Sequence, residues 1–196
     1  GMTECAPLIA YTPWNEFKIR SCGRIVDRME VKIDSENPQK VVGEILVKGD
    51  SVMNGYYKNQ AATDAIFTED GWMKTGDLGV IDAQGNIFIR GRNKNMILSG
   101  NGQNIYPEEI EDKVNNMPYV IESVVVSRGG NLVALVYADT AAIKKETTHT
   151  LEEIMEMNCA KVNKLIPRFC KISSFELVEQ EFAKTPKKSI KRFLYS

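Results

Sequence analysis

Long apolar runs, organised cysteines and histidine are scarce in this 196-residue sequence, and each shortage excludes a class of protein. No stretch of about 18 apolar residues occurs, so no membrane-crossing helix is predicted. The four cysteines, Cys5, Cys22, Cys159 and Cys170, show neither zinc-ligand spacing nor a dense framework, and a chain this long does not need disulfide staples; they are read as reduced thiols. The single histidine, His149, lies in the polar run from Lys144 to Thr150 and is expected to be an exposed loop residue without a role. Charge of one sign is also missing: 25 Lys and Arg against 26 Asp and Glu leave a formal net charge of -1, which gives no general attraction to nucleic acid. The start, GMTECAPLIAY, has neither the basic flank nor the apolar core of a signal peptide, so a cytoplasmic protein is expected.

What is present is ordinary globular material, 43% hydrophobic, which suits two small domains better than one large core. From Phe17 to Arg90 the pieces FKIR, RIVD, MEVKID, VVGEILVKG, LGVID and NIFIR read as short strands. Turn residues at Ser35-Glu36-Asn37-Pro38 and at Asp82 to Asn86 separate some of them, and a short helix is expected near Thr63 to Phe67. A β-rich, distorted barrel-like subdomain over residues 1–91 is the expectation. Beyond Arg92 helices alternate with strands. Ile105, Ile110, Val114 and Met117 behind Pro107 predict one helix, and Leu151, Ile154, Met155, Val162 and Leu165 predict a second, closed by Pro167. Two apolar strands flank Arg128-Gly129-Gly130-Asn131 as a hairpin, and Ile172 to Val178 forms a further strand. The fold class is therefore α+β, with a small α+β lid domain over residues 92–196.

The stretch GRNKNMILSGNGQNIYPEE, 91–109, has the glycines of a phosphate loop but not its spacing, since Gly102 is followed by Gln103 and Asn104 instead of lysine and a hydroxyl residue. The densest signal is GWMKTGDLG, 71–79. It reads either as a hairpin turn with a core tryptophan or as a ribose site, in which Asp77 accepts hydrogen bonds from two hydroxyls and Arg92 reaches the same nucleotide from a neighbouring strand end. Trp14, Tyr56 and Tyr57 are read as packing residues.

The order GEILVKGDSVMNGYY, GWMKTGDLG, GRNKNMILSGNGQNIYPEEIE and TPKKSIKR resembles the carboxy-terminal part of the adenylate-forming enzymes, which include acyl-CoA synthetases, luciferases and peptide-synthetase adenylation domains. The wording NMILSGNGQNIYPEEIE is most similar to long-chain fatty acid–CoA ligases, and Gly1-Met2-Thr3-Glu4 resembles the family's Gly-X-Thr-Glu motif. The resemblance implies ATP, Mg2+ and coenzyme A as ligands and a fatty acid as substrate. It implies that Thr3 helps hold the adenylate phosphate, Glu4 the magnesium and Asp77 the ribose, with Arg92 assisting. Lys94 takes the family's hinge position, and Gly100 and Gly102 fit a loop that changes shape and lets a pantetheine arm pass its backbone.

Two departures accompany the resemblance. The family's upstream phosphate loop and acyl pocket are not in this sequence, so the implied partner is a missing amino-terminal part of the same enzyme. The family's catalytic lysine, next to the isoleucine of its last motif, is replaced by Ser189, with Lys187, Lys188 and Lys191 close by. Lys188 is the first choice to take its role. The cluster Lys184, Lys187, Lys188, Lys191 and Arg192 is either a solvated basic tail or an attraction for nucleotide phosphate or an anionic membrane surface, the latter a peripheral contact. The alternative to a ligase is a catalytically inactive nucleotide-sensing or protein-interaction module.

Overall fold

The computed structural model describes residues 1–196, which form two compact units, Gly1–Lys94 and Asn95–Ser196. The first unit contains β1 (Ala10–Tyr11), β2 (Arg24–Ile25), β3 (Met29–Asp34), β4 (Gly43–Gly49), α1 (Gln60–Ile66), β5 (Met73–Ile81) and β6 (Ile87–Arg92). Strands β3 to β6 make one antiparallel sheet in sequence order, and β1 pairs only with β2. The four-stranded sheet is open, with β3 and β6 as its edges, so the expected barrel does not close. Alternation along the strands sends Ile33, Ile45, Val47, Met73 and Ile87 to one face, where Cys5 and Ile9 complete the core. Helix α1 starts at Asn59, whose side chain accepts the N–H of Ala62 at 3.1 Å. The piece FKIR is not a strand: Phe17 and Ile19 are exposed, and Lys18 reaches away to Asp82 at 2.5 Å. Trp14 and Tyr57 are exposed too, and Tyr56 is more than one-third exposed, which corrects their reading as packing residues.

The second unit runs β7 (Ile97–Leu98), β8 (Asn104–Ile105), α2 (Pro107–Asn115), β9 (Val120–Arg128), β10 (Asn131–Ala138), α3 (Thr140–Glu146), α4 (Leu151–Leu165) and β11 (Ile172–Leu177). Its sheet has the order β11-β10-β9, antiparallel between β9 and β10 and parallel between β10 and β11. The hairpin pairs Arg128 with Asn131, so Gly129 and Gly130 form a two-residue turn, both at positive φ, a conformation open to glycine at little cost. A capping box starts α4, with Thr150 and Glu153 each accepting the other's backbone N–H at 3.2 and 2.9 Å.

One sheet face, carrying Val125, Leu132, Ala134, Val136 and Ile172, packs on Ile110 and Val114 of α2 and on Ile154, Met155 and Val162 of α4. The other face, Val124, Val126, Val133 and Leu135, is covered by Phe182, with Tyr195 meeting the Phe182 ring edge to face at 4.9 Å. Burial on both faces explains why these strands read as unbroken apolar runs. It also fastens the carboxy-terminal segment against the sheet. Helix α3 escapes the sequence reading because Ile143 is its only buried side chain, too little for an apolar stripe. All four cysteines are unpaired, and no helix is long and apolar enough to cross a membrane.

Candidate functional site

The segment around Asp77 is not a turn but the middle of β5. Register on β4 passes from Glu44 opposite Leu78 to Leu46 opposite Lys74, so β5 bulges outward across Thr75, Gly76 and Asp77. Side chains satisfy the backbone there. The Thr75 hydroxyl donates to the Ile45 carbonyl at 2.8 Å and accepts the Asp77 N–H at 3.1 Å, and the Gly76 N–H donates to the Glu44 carboxylate at 3.0 Å. Gly76 sits at φ +72°, which a side chain would strain. The bulge presents Asp77 opposite Arg92 of β6, and Arg92 Nε meets Asp77 Oδ1 at 2.8 Å. This pair faces solvent. A carboxylate and a guanidinium in fixed register can accept from, and donate to, the oxygens of a sugar or phosphate.

Thr3 and Glu4 lie together on a short 3-10 turn, Thr3–Cys5, that buries Cys5 and leaves Thr3 exposed. The Glu4 carbonyl accepts the Met53 N–H at 2.8 Å, and its carboxylate accepts the Tyr56 hydroxyl at 3.0 Å. That hydrogen bond, with lesser help from burial and the negative charge of Glu4, pushes the Tyr56 phenol up. Tyr56 is a partner that the sequence reading set aside, although Gly55-Tyr56 belongs to one of the motifs quoted above. Glu4 does not belong to a metal-binding group of three or more acidic, histidine or cysteine side chains, since no such group is present. One carboxylate suits a magnesium ion that keeps most of its waters and phosphate ligands, and does not suit an all-protein cage.

Lys94 stands in the 3-10 turn Asn93–Asn95, at the junction of the two units. Gly100 and Gly102 belong to the loop between β7 and β8, which Ser99 closes by accepting the N–H groups of Gly102 and Gln103, both at 2.9 Å. Gly102 is at φ +79°, and around both glycines there is open space where a Cβ would stand.

Lys188 lies on the turn joining Lys184 and Ile190, which bridge each other. Its N–H donates to the Thr185 carbonyl at 2.8 Å, Thr185 N–H donates to the Ser189 carbonyl at 2.8 Å, and Lys188 adopts φ 61°. Lys187, Lys188 and Ser189 are exposed. The basic cluster is not a uniform solvated tail. Lys184 is tied to Glu122 at 2.9 Å and to Glu181, and Arg192 is tied to Glu111. Two of its five cations are thus neutralised by the fold, which weakens the reading as a membrane-attracting surface.

The Arg192 partner is the residue that sequence reasoning missed. Glu111 is buried, and its Oε1 accepts the Val125 N–H at 2.6 Å. Burial pushes its carboxyl up, against the opposing pull of Arg192 and the Val125 N–H. An acid adjoining the apolar positions Ile110 and Val114 on a helix was the available signal. The structure thus brings together Asp77 with Arg92 and Thr3 with Glu4. Lys188, Gly100 and Gly102 belong to the second unit.

Comparison with known proteins agrees with this division. A family model described as AMP-binding enzyme matches residues 1–57, and one described as AMP-binding enzyme C-terminal domain matches residues 94–195, just over half of the chain. The chain is 43% identical over 131 residues to a long-chain-fatty-acid–CoA ligase of Escherichia coli O6:H1, covering 64% of this chain and 23% of that protein. It is 40% identical over 134 residues to an indoleacetate–CoA ligase of Aromatoleum aromaticum, covering 65% and 26%. Among solved structures, the o-succinylbenzoate coenzyme A synthetase of Bacillus subtilis in complex with ATP and magnesium superposes with TM-score 0.81 at 27% identity, over 98% of this chain and 39% of that one. The chain spans about a quarter of the length of the curated relatives it matches, at their carboxy-terminal end. With these matches over a fold of two such units, the chain belongs to the adenylate-forming AMP-binding enzyme family and matches the carboxy-terminal part of members named CoA ligases.

Proposed function

We propose that the chain is the carboxy-terminal part of an AMP-forming acyl-CoA ligase that activates a long-chain fatty acid as its adenylate and transfers the acyl group to coenzyme A. The observation that carries this reading is the Asp77–Arg92 pair at 2.8 Å, displayed by a bulge whose Gly76 and Asp77 N–H groups are held by the Glu44 and Thr75 side chains. Asp77 takes the ribose hydroxyls, with Arg92 beside it. Thr3 contacts the adenylate phosphate, and Glu4, held by Tyr56, supplies one carboxylate to magnesium. Lys188 brings an ammonium to the phosphate in place of the family's lysine at Ser189. A cation there stabilises charge that grows in the transition state, which a neutral hydroxyl does not.

The relatives act by name on long-chain fatty acids, indoleacetate and succinylbenzoate, and the wording of NMILSGNGQNIYPEEIE favours the first. Lys94 is the hinge about which the second unit turns between the two half-reactions, and the Gly100–Gly102 loop lines the pantetheine path. The 196-residue chain by itself makes no acyl-CoA, because the groups that position the acid and the phosphates lie upstream.

The test joins the chain to its natural preceding sequence and measures ATP–pyrophosphate exchange with palmitate, indoleacetate and 2-succinylbenzoate. Palmitate is expected to give the highest kcat/KM; a higher value for either aromatic acid overturns the long-chain assignment. Lys94→Pro is expected to slow thioester formation more than exchange, because proline fixes φ where the hinge must rotate. Equal loss of both rates in a folded variant removes the hinge role. Ser189 favours a second reading, a non-catalytic nucleotide-binding module, which exchange activity above background eliminates.

A further inference from the structure

Glu108 and Glu111 stand one turn apart on α2, and both face Arg192. Arg192 Nη2 donates to Glu111 Oε2, while Arg192 Nη1 donates to the Val125 carbonyl at 3.5 Å and Glu111 accepts the Val125 N–H at 2.6 Å. Acid and guanidinium thereby close both backbone groups of Val125 on β9, an edge strand of its sheet. Glu108 is placed differently. Its Oε1 accepts from Asn95 Nδ2 at 2.5 Å and lies 4.0 Å from Arg192 Nε, and its Oε2 is buried with no hydrogen-bond partner. A carboxylate oxygen left unsatisfied inside a protein is costly, and helix packing alone does not call for one at this position.

Asn95 is the first residue of the second unit, next to Lys94. Arg192 begins the 3-10 turn Arg192–Leu194, directly after the segment 184–190 that carries Lys188. The other leg of that segment is anchored separately by Lys184 on Glu122 at 2.9 Å. A continuous series of polar contacts therefore runs from the inter-unit junction to the exposed lysine turn, through Asn95, Glu108 and Arg192. Glu111 holds Arg192 in place.

We propose that Glu108 and Glu111 are positioning residues that couple Asn95 to the Lys188 turn, so that movement at the junction resets the turn. The catalytic consequence rests on the function proposed above; the mechanical coupling does not. Release of Asn95 leaves Glu108 free to compete with Glu111 for Arg192. That shift pulls on Arg192 and changes the order of residues 185–191.

The experiment is hydrogen exchange of the complete enzyme, read at the amides of Thr185, Lys188, Ser189 and Lys191, for Asn95→Ala, Glu108→Gln and, as control, Glu152→Gln on α4. The first two are expected to speed exchange about tenfold, the scale of one hydrogen bond to a charged group, with the control unchanged. Adenylation kcat is expected to fall about tenfold with the ATP KM unchanged, and Asn95→Ala combined with Glu111→Gln to be less than additive. Unchanged exchange at these amides in Asn95→Ala, which removes the link without touching α2, overturns the coupling even if the Glu108 variant fails to fold. Faster exchange with normal adenylation overturns the positioning role. In that case Lys188→Ala separates the causes: if it too leaves adenylation unchanged, the assignment of the turn has failed; if it abolishes adenylation, Glu108 and Glu111 have no hold on the lysine.

Discussion

Two arginine–carboxylate pairs, one in each unit, use the same chemistry for different ends. Arg92 and Asp77 keep 53% and 25% of their side-chain surface exposed, whereas Arg192 and Glu111 keep 20% and 10%. The first pair joins register partners at a bulge, and under the proposed function it exchanges its mutual contact for a ligand's hydroxyls. The second links residues 81 positions apart and is bound into the edge of a strand. Exposure thus separates a pair that a ligand can use from a pair that only the fold can use, because a buried charge that loses its partner has no water to replace it.

The largest effect is expected at Lys188, on the turn that the buried pair is proposed to position. Lys188→Ala in the complete enzyme should lower pyrophosphate exchange by about two to three powers of ten, as for loss of one transition-state charge contact, and adding Ser189→Lys should restore part of it. An unchanged rate would shift the role to Lys187 or Lys191. Next comes the buried pair itself. Glu111→Ala should destabilise the chain by about 3 kcal/mol in urea titration, since Arg192, with 20% of its side chain exposed, loses its close carboxylate and keeps only Glu108 at 4.0 Å. A loss below about 1 kcal/mol would place this pair with ordinary surface bridges and dissolve the contrast.

Asp77→Ala should show the opposite profile. Stability should change by less than about 1 kcal/mol, while kcat/KM for ATP in the exchange reaction falls by about tenfold to a hundredfold. A large stability loss without a kinetic effect would make Asp77 structural.

The smallest effect is in pH dependence, where the two units should move in opposite directions. Burial pushes the Glu111 carboxyl above its ordinary 4.5, so the folded state holds the proton longer, and stability falls as pH rises from 4.5 through the folded value. In the first unit, burial pushes Asp82 up, but Lys18 and the N–H groups of Asn86 and Gln84 outweigh it and hold the carboxyl well below the usual range. Its contribution is present above 3.8 and is lost as pH falls toward the folded value. Thermal midpoints followed from about pH 7 to about pH 2 should lose the first slope in Glu111→Gln and the second in Asp82→Asn. Retention of either slope would assign it to other groups.

Helix α2, helix α4 and the β9–β10 hairpin were legible because their signals are local: Pro107 at a helix start, the apolar stripe from Leu151 to Leu165 closed by Pro167, and a Gly-Gly turn between apolar strands. The FKIR piece has the composition of a strand but no neighbour to pair with, and composition does not reveal that. GWMKTGDLG looked like a turn because bulges use turn residues. Only pairing with β4 shows that the chain runs straight through it. The sequence placed Asp77 and Arg92 near one another by motif order, but not Tyr56 on Glu4 or Glu111 on Arg192.

The sequence by itself determined the α+β class, the main helices, the long hairpin and the family, because apolar periodicity, prolines at helix ends and turn chemistry act within a few residues and ordered motifs survive as words. Tertiary structure decided that the first sheet stays open, that a bulge turns Asp77 toward Arg92, and that two of the carboxy-terminal cations are spent on the fold while Lys188 remains exposed. Those outcomes depend on sheet register and on burial of charges far apart in the chain. Neither is a property of any short stretch of residues.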